Sequence, residues 1–448
     1  MHPVVGRQFS IAGSRPAVRL EVHLRPSEPH EDPEVCYRSQ WGDEPPRGRN
    51  MTTGLDQIFV ALKHWVVSLC PTGWQSIVSM VISAGAILGV FASLFGLTTL
   101  LERKGLGRIQ NRPGPNRVGP FGLLQPLADG LKMLTKEDIV PRSADQLIHF
   151  LAPVTMVVPV VLAYAVLPLG RNMEAVDFDA GLLFFFAAGA ATEMAVFMAG
   201  WSSRNKYALL GAMRAIAQMV SYEVPMILSS ITVVMFVGSM SLVQIVESQS
   251  GYHWGWLARW HAFTPWGFAG LVLFVVSATA EANRSPFDIP EGESEIIAGH
   301  LIEYSGFKYA LFFLGEYLGL FSLSALGITL FLGGWHAPVV WLEWVPSYAW
   351  FFGKLLGFIA FFIWVRGTLP RLRTDQLMNF AWKFMLPLVL INLGTAALWW
   401  YTGSWVFMGA AVWRWLICAA MVVVPYAVLG RVMFERRHLG PRTYRYAS

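Results

Sequence analysis

The sequence predicts an all-α polytopic membrane protein with eight or nine transmembrane helices and amphipathic helices in its cytoplasmic loops. The chain of 448 residues is 54% hydrophobic and only 14% charged. Its mean hydropathy of +0.46 lies far above that of an ordinary soluble domain. Apolar stretches of about 20 residues, enough to cross a bilayer, recur along the chain, and the alternating pattern of a membrane β-barrel is not seen.

Nine segments have the length and composition of a spanning helix. They are 76–100, 147–167, 181–201, 224–246, 264–280, 308–334, 348–366, 384–401 and 405–429. The fifth is short and the ninth contains Arg414, so these two depart most from the pattern. We therefore divide the chain into an N-terminal extension (1–75), a transmembrane domain (76–403) and an additional C-terminal helix with a basic tail (404–448).

Charges in the connecting loops predict the orientation. The loops 102–146, 202–220, 281–308, 366–383 and 431–448 would share one side and contain 22 Lys and Arg residues. The opposite loops contain only Arg171 and Arg259. Basic loops stay in the cytoplasm. In a bacterial inner membrane, the C-terminus is therefore expected on the cytoplasmic side and the segment before the first span on the outer side. The pI near 9.1 follows from this asymmetry and does not indicate nucleic-acid binding.

The N-terminal extension does not fit this orientation. Residues 1–50 are polar and rich in Pro and Arg, which predicts disorder. Their seven arginines would lie outside, which indicates either an accessory tail or a start codon upstream of the true one, with Met51 as the alternative. Residues 55–69 predict a short helix on the outer surface, anchored by Trp65.

Six carboxylates occupy the loop between the fifth and sixth spans. They are Glu281, Asp288, Glu291, Glu293, Glu295 and Glu303. Charges packed between membrane spans are usually functional, although a solvated acidic loop is the plain alternative. Asp288 can cap a short helix, with Glu291 completing a capping box. Glu291 and Glu295 would share one face of this helix. Because neighbouring like charges resist joint ionisation, the pKa of at least one of the two carboxyl groups should rise, which suits a proton-handling site.

The loop after the first span carries a second motif. The NRPGPNRVG run from Asn111 holds prolines and glycines that forbid a continuing helix, so it forms a turn presenting Arg112 and Arg117. A basic loop that only anchors topology is the alternative. The stretch 123–135 follows, with leucines on one face and Asp129 elsewhere, which predicts an interfacial helix bordering a hydrophobic opening.

Several charged residues fall inside or at the ends of spans. Glu193 and Glu316 have apolar surroundings, and Glu223 lies at the start of the predicted fourth span. Such acids are functional candidates, with a helix-packing hydrogen bond as the alternative. Lys354 and Arg414 are expected to reach toward the membrane interface.

The sequence contains no pattern typical of a redox or nucleotide cofactor. Cys36, Cys70 and Cys418 stand far apart, which supports neither a disulfide framework nor an iron–sulfur or zinc site. A Walker loop and a Rossmann glycine fingerprint are also missing from the sequence. Any hydride or electron chemistry is therefore expected from a partner.

Long motifs give the chain a resemblance to a known family. They are the Glu102-Arg103-Lys104 end of the first span, NRPGPNRVGP from Asn111, AGWSSRNKYALLGAMRAIAQMVSYEVP from Ala199, EANRSPFDIPEGESEIIAGHLIEYSGFKYALFFLGEY from Glu281 and RGTLPRLRTDQLMNFAWKFMLPL from Arg366. Together they resemble the H subunit of NADH-quinone oxidoreductase, the complex I component whose mitochondrial counterpart is subunit 1. The likeness covers about residues 76–400 and leaves the N-terminal extension and the ninth span outside it.

The resemblance implies a membrane subunit of a proton-translocating enzyme. Such a protein docks the hydrophilic arm, encloses the quinone-binding chamber with it and couples quinone reduction to a proton path. Quinone is then the substrate, FMN and iron–sulfur clusters lie in partner subunits, and this chain binds no cofactor. The implied partners are the hydrophilic quinone-module subunits and the adjacent small and antiporter-like membrane subunits.

The resemblance also implies roles for individual residues. At the quinone chamber it implies Arg103, Arg112, Asp129 and Arg284. In the proton path it implies Glu223, Glu281, Glu291, Glu293, Glu295 and Glu303. Glu193 joins this second set as an intramembrane acid, at a position where several relatives hold an apolar residue.

Two other functions stay open at the level of sequence. Membrane-bound energy-converting hydrogenases and formate hydrogenlyases contain an equivalent subunit without a quinone, although the EGESE run and the intact NRPGPNRVG loop favour the quinone enzyme. Neighbouring genes for an NADH-binding flavoprotein or a nickel hydrogenase would distinguish the two. A stand-alone ion transporter is the other alternative, but the internal repeat typical of that class is not found in the sequence.

Overall fold

The computed structural model describes residues 56–71, 74–253, 255–289, 297–404 and 410–435. The helices are α1 (Ile58–Ser68), α2 (Gln75–Ile109), α3 (Gln125–Thr135), α4 (Gln146–Ala163), α5 (Gly181–Ser202), α6 (Lys206–Val237), α7 (Leu242–Ser248), α8 (Pro265–Glu281), α9 (Gly306–Phe331), α10 (Ser347–Thr368), α11 (Thr374–Phe380), α12 (Leu386–Tyr401) and α13 (Ala410–Glu435). A π-helical turn, Ala381–Met385, joins α11 to α12. Two short antiparallel strands, β1 (Tyr252–His253) and β2 (Leu257–Ala258), follow α7.

Shorter 3₁₀ turns connect or extend these helices. They are Pro120–Gly122, Tyr164–Val166, His261–Phe263, Gly299–Leu301, Val340–Leu342 and Thr402–Ser404.

Eight helical segments within the described ranges are long and apolar enough to cross a membrane. They are Gln75–Ile109, Gln146–Val166, Gly181–Ser202, Lys206–Val237, Gly306–Phe331, Ser347–Thr368, Thr374–Tyr401 and Val412–Arg431. The predicted fifth span corresponds to the shorter α8, whose 17 residues reach about 25 Å at about 1.5 Å each, less than the roughly 30 Å of a hydrocarbon core. The predicted all-α polytopic fold is confirmed.

The predicted bounds of the fourth span, 224–246, are wrong. The helix here, α6, begins at Lys206 and ends at Val237. Gly238 ends it because this residue adopts a left-handed conformation with φ +79°, which favours glycine. The polar residues at the start of α6 make this part resemble a loop in the sequence, and Glu223 consequently lies well inside the helix and not at its beginning.

Helix α9 lies at the centre of the bundle. Nearly every residue from Tyr317 to Phe331 is buried. Its serine and threonine side chains donate hydrogen bonds to carbonyl oxygens of the same helix, as in the bond of 2.7 Å from Ser324 Oγ to the Leu320 carbonyl. Tyr164, at the end of α4, donates to the Leu318 carbonyl at 2.6 Å and ties the two helices together. Polar groups inside a membrane bundle are satisfied in this way without water.

Two basic side chains point inward and not toward the interface as expected. Lys354 Nζ donates to the carbonyl oxygens of Leu332, Gly334 and His336, each at 2.7 Å. Three acceptors satisfy the three hydrogens of an ammonium group, and these bonds hold the chain that leaves α9. Arg414 of α13 donates to the Trp399 carbonyl at 2.6 Å and stacks over that ring at 3.8 Å. Both cations thus bind backbone carbonyls at or just beyond the C-terminal ends of α9 and α12, where cations are favoured.

The short N-terminal helix predicted over residues 55–69 is found as α1. Asp56, just before it, accepts hydrogen bonds from the Ser347 backbone nitrogen at 2.7 Å and its Oγ at 2.5 Å. This carboxylate therefore caps the first turn of α10. Residues 1–55 of the predicted N-terminal extension, and residues 405–409 and 436–448 near the C-terminus, lie outside the described part of the chain.

Candidate functional site

A cavity of about 660 Å³ opens between α2, α3 and the first half of α9. Apolar side chains form much of its wall, among them Phe95, Leu127, Met133 and Phe313. Polar and charged groups also line it: Thr99, Glu102, Arg103, Asp129, Tyr309, Tyr317 and Arg366. Its volume is in the range of small-molecule sites, about 300–1,000 Å³. Apolar walls with a few polar groups suit a ligand that has a polar head and an apolar body.

Arg103 and Asp129 form an ion pair on the wall of this cavity. Arg103 lies near the end of α2, and its Nη1 is 2.5 Å from Asp129 Oδ2 on α3. Gln125 Nε2 donates to the other oxygen of Asp129 at 3.1 Å. The pair therefore connects the first span to the amphipathic helix. Helix α3 itself confirms the helix predicted over 123–135, and its residues Leu127 and Leu131 remain exposed.

A buried charge cluster lies beside the cavity. Arg284 Nη1 is 3.4 Å from Glu102 Oε1, and Arg366 donates to the same oxygen. Tyr317 donates to Glu102 Oε2 at 2.5 Å. Arg284 also lies 3.3 Å from the Glu316 carboxylate and 4.0 Å from the centre of the Tyr317 ring. Two carboxylates and two guanidinium groups balance each other, which is how charges are retained in a bundle interior.

The environment of Arg284 holds it in its charged form. Burial by itself lowers the pKa of the guanidinium, but the carboxylates of Glu316 and Glu102 more than offset this and raise the pKa above its ordinary value. Arg284 is therefore a fixed positive charge and not a proton carrier.

Gln218 of α6 holds the turn that carries Arg284. Its Nε2 donates to the carbonyl oxygens of Ala280 and Phe287, both at 2.7 Å. Gln218 is 1% exposed, so these bonds are shielded from water. One amide thus fixes both sides of the turn after α8 and with it the positions of Glu281 and Arg284.

Three carboxylates from different helices meet in a second cluster. Glu193 of α5 and Glu223 of α6 lie within side-chain hydrogen-bonding reach of each other, and Glu281 at the end of α8 is close enough to interact electrostatically with both. Glu193 Oε1 and Glu281 Oε2 are buried and have no hydrogen-bond partner among the described residues. Because an ionised carboxylate has no hydrogen to donate, a bond between Glu193 and Glu223 requires a proton on one of them. The cluster can therefore hold and exchange a proton.

Glu303 lies in different surroundings, at the far end of the acidic loop. Its carboxylate accepts a hydrogen bond from Asn205 Nδ2 at 2.7 Å. The next residue, Tyr304, stacks on His149 with ring centres 4.0 Å apart and lies 3.2 Å from Ser202 Oγ. Burial raises the pKa of Tyr304 to about 12, so its hydroxyl stays protonated at neutral pH.

Arg112 is separate from the main cavity. It lines a second cavity of about 460 Å³ at the end of α2, together with Lys104, Arg108, Asn111, Pro113, Gly114, Asn116 and Phe121. The Arg112 Nε donates to Gln110 at 2.8 Å. This cavity is basic and lies on the loop, so the structure does not bring Arg112 to Arg103 and Asp129.

The predicted site residues thus divide into several groups. Arg103 and Asp129 line the main cavity, Arg284 is in the charge cluster beside it, and Glu193, Glu223 and Glu281 meet in the carboxylate cluster. Glu291, Glu293 and Glu295 lie outside the described residues, as does the short helix expected to carry them, and their roles stay predictions.

The convergence of several elements on Glu102 cannot be predicted from the sequence. In the sequence Glu102 is only the end of a span, Arg366 is only part of a motif, and nothing singles out Tyr317. The available signal is the acid Glu316 inside a span, which requires a buried cation as partner. The sequence does not reveal that this partner comes from the turn after α8.

A family model described as NADH dehydrogenase matches residues 82–397. Among curated relatives, the H subunit of NADH-quinone oxidoreductase from Dehalococcoides mccartyi is 51% identical over 65% of this chain and 79% of its own length. The protein of the same name from Geobacillus kaustophilus is 45% identical over 74% of this chain and 96% of its own length. A third, from Polaromonas naphthalenivorans, is 41% identical over 75% of this chain and 94% of its length. Helix α13 lies beyond the segment that the family model matches.

Proposed function

Because the chain belongs to the family of the H subunit of NADH-quinone oxidoreductase, a membrane component of the complex I enzyme, we propose that its cavity binds the quinone and that its carboxylates couple quinone reduction to proton movement. The family makes the chain a multi-pass inner-membrane protein that assembles with other complex I subunits. The cavity between α2, α3 and α9 is the observation that carries the quinone assignment.

The cavity suits a quinone in size and chemistry. A quinone has a ring with two carbonyl oxygens and a long apolar tail. Phe95, Leu127 and Phe313 offer apolar surface for the tail and ring. Arg103 and Arg366 also line the cavity and offer N–H donors to the carbonyl oxygens of the head group. These donors would orient the head, while electrons come from iron–sulfur clusters and FMN in partner subunits.

The charge cluster responds to the state of the quinone in this proposal. Reduction to a quinol consumes two electrons and two protons, and an anionic intermediate would attract Arg103 and Arg366. Arg366 also binds Glu102, which in turn holds Arg284 and Tyr317. A negative charge that draws Arg366 toward the cavity would weaken the bond between Arg366 and Glu102. Glu102 could then bind Arg284 more closely, which would shift the turn that carries Arg284. Arg284 is three residues from Glu281, so a shift of this turn would reach the carboxylate cluster.

The carboxylate cluster is the proposed entry to the proton path. In this proposal Glu193, Glu223 and Glu281, which lie on three different helices, share at least one proton, and a shift of the turn after α8 would move Glu281 relative to the other two. Glu291, Glu293, Glu295 and Glu303 are proposed to extend the path through the acidic loop. The chain is further proposed to place the Glu102 end of the bundle on the cytoplasmic side, where the hydrophilic quinone-module subunits dock, and its C-terminus in the cytoplasm.

Inside-out membrane vesicles containing the assembled complex test both parts of the proposal. Asp129→Asn should raise the KM for quinone, while Asp179→Asn, at an exposed carboxylate, should not. Glu223→Gln should block proton uptake during NADH oxidation, with the exposed Glu247→Gln as its matched control. Unchanged quinone kinetics in Asp129→Asn together with normal proton uptake in Glu223→Gln would contradict the proposal.

The hydrogenase-type alternative makes a different prediction for the same vesicles. Its cavity would bind no quinone, so an inhibitor that competes with quinone would not affect electron transfer. Relatives that are 41–51% identical and named as quinone oxidoreductase subunits favour the quinone enzyme. Inhibitor-sensitive reduction of added quinone by the complex decides between the two.

A further inference from the structure

The segment after α3 is bound to the end of the acidic loop. Lys308 Nζ lies 2.8 Å from Asp138 Oδ2. Ser305 Oγ accepts a hydrogen bond from the Ile139 backbone nitrogen at 2.9 Å and donates to the Glu137 carbonyl at 3.3 Å. These contacts between residues 136–139 and 305–308 are here called the clasp.

Gly306 allows the two chains of the clasp to approach closely. Its φ of +56° favours glycine. A Cβ added there would lie 3.1 Å from the Lys136 carbonyl oxygen and 3.4 Å from that of Glu137. The close backbone contact and the ion pair therefore reinforce each other at one point.

Both sides of the clasp continue directly into the cavity wall. Residues 136–139 follow α3, which supplies Leu127, Asp129 and Met133 to the cavity. Residues 305–308 lead into α9, whose Tyr309 and Phe313 line the opposite wall. A ligand that changes the distance between α3 and α9 would therefore displace the two segments of the clasp relative to each other.

The clasp also adjoins an acidic residue of the proposed proton path. Glu303 lies two positions before Ser305 and is held by Asn205 at 2.7 Å. His149 stacks on the intervening Tyr304, and its Nε2 is 3.4 Å from the Glu303 carbonyl. Because these contacts leave few free torsions between Glu303 and Ser305, displacement of the clasp moves the Glu303 backbone.

We propose that Asp138 and Lys308 are positioning residues which, through the clasp, transmit occupancy of the cavity to Glu303 and the acidic loop. This role rests on the proposed function and adds to it a second connection, independent of the Glu102 cluster. The physical requirement is an element with two arrangements that both sites bias. The clasp is the contact between the segment that follows α3 and the segment that links Glu303 to α9.

The exposure of the ion pair makes the role testable. The side chains of Lys308 and Asp138 are 16% and 47% exposed. Water can solvate the half-exposed Asp138 carboxylate when its partner is removed, so Lys308→Met in particular should leave the complex assembled. An effect on coupling can then be separated from an effect on stability.

The test measures protons taken up per NADH oxidised in inside-out vesicles. Asp138→Asn and Lys308→Met should each lower this ratio by about twofold or more, with NADH oxidation itself within about twofold of wild type. The charge exchange Asp138→Lys with Lys308→Asp should restore the ratio. Lys206→Met, at an exposed lysine that begins α6, is the matched control and should change nothing.

Other results would overturn the proposal. An unchanged ratio in both single variants excludes the role, and so does a parallel fall of oxidation and proton uptake, which indicates a purely structural pair. Should Asp138→Asn prevent assembly, Ser305→Ala, which removes only the bridging hydroxyl, decides by the same criteria. Absence of inhibitor-sensitive quinone reduction in wild-type vesicles would overturn the proposed function itself. If wild-type vesicles pump protons normally and the variants have the same ratio of protons to NADH, only the role of the clasp is overturned.

Discussion

At the scale of single residues, Glu102 is the point where side chains from three other parts of the chain meet beside the cavity. Its two oxygens receive Arg284, Arg366 and Tyr317, which come from the turn after α8, from α10 and from α9. The Glu102 and Arg284 side chains are each only 8% exposed. Removing one partner of such a buried pair leaves an uncompensated charge. Glu102 therefore joins three elements of the bundle at the wall of the proposed quinone cavity.

Glu102→Gln should destabilise the protein and reduce its activity. Loss of one partner of a buried ion pair costs about 3–5 kcal/mol, so a lowered melting temperature of the detergent-purified complex is expected. Quinone reduction should fall as well, because Arg366 and Tyr317 lose the group that orients them. The exposed Glu247→Gln serves as the control. A variant with wild-type melting and wild-type reduction would show that the cluster carries neither function.

His300 predicts a pH dependence of stability. It is buried in the 3₁₀ turn Gly299–Leu301, within the acidic loop, and burial lowers its pKa from 6.5 to about 4. The unfolded chain therefore binds a proton at higher pH than the folded chain. Stability is full above pH 6.5 and falls by on the order of 3 kcal/mol between pH 6.5 and pH 4, below which the folded chain is protonated as well and the loss is complete.

His300→Gln should remove this part of the acid sensitivity. The difference in melting temperature between pH 7 and pH 4.5 should be smaller in the variant than in wild type, because glutamine does not titrate. The same comparison for the exposed His64→Gln is the control. Equal acid sensitivity in His300→Gln and wild type would show that protonation of His300 does not contribute to the loss of stability in acid.

At the scale of elements, the ends of helices are fixed by residues distant in the sequence. Asp56 caps α10 although it lies 291 positions before Ser347. Lys354 binds the carbonyls beyond α9, and Gln218 holds both sides of the turn after α8. Helix ends leave unsatisfied backbone groups, and a membrane bundle must satisfy them with its own side chains.

Asp56→Ala should lower the stability of the protein by about 1 kcal/mol, the typical contribution of a side chain that caps a helix. The melting temperature of the purified complex measures this loss. Asp179→Ala, at an exposed carboxylate before α5, is the matched control. Identical melting of Asp56→Ala and Asp179→Ala would show that the Asp56 cap does not stabilise α10.

The same elements show what the sequence can predict. Apolar length places the spanning segments, and leucine spacing places α3, because both patterns are local. The start of α6 escapes prediction because Lys206 and Arg214 give this part of the helix the polar composition of a loop. The meeting of Glu193, Glu223 and Glu281 is equally hidden, since it depends on the packing of three helices and not on spacing along one.

At the scale of the whole molecule, the functional groups occupy one end of the bundle. The cavity, the charge cluster and the clasp lie where α2 and α8 end and α9 begins, and the carboxylate cluster reaches from the end of α8 to the middle of α5 and α6. The opposite end is closed by structural contacts such as that of Lys354. This division explains why resemblance in sequence predicts the function before any geometry: the long motifs encode the loops and helix ends that build the site.

Helix α13 should be dispensable for catalysis. It packs beside α12 through Arg414 and Trp399 and lies outside the segment matched by the family model. Truncation after Ser404 should leave quinone reduction within about twofold of wild type in assembled complex, because no residue of the cavity or clusters is removed. Reduction that collapses in a complex of normal subunit composition would assign α13 a functional part.

Photo-crosslinking of the assembled complex with an azido-quinone, followed by mapping of labelled peptides, addresses the quinone assignment without any substitution. Label is expected in the cavity wall, in peptides containing Phe95–Arg103, Leu127–Met133 or Tyr309–Tyr317, and an inhibitor that competes with quinone should remove it. A complex that still oxidises NADH but carries no competable label on this chain would contradict the assignment of the cavity.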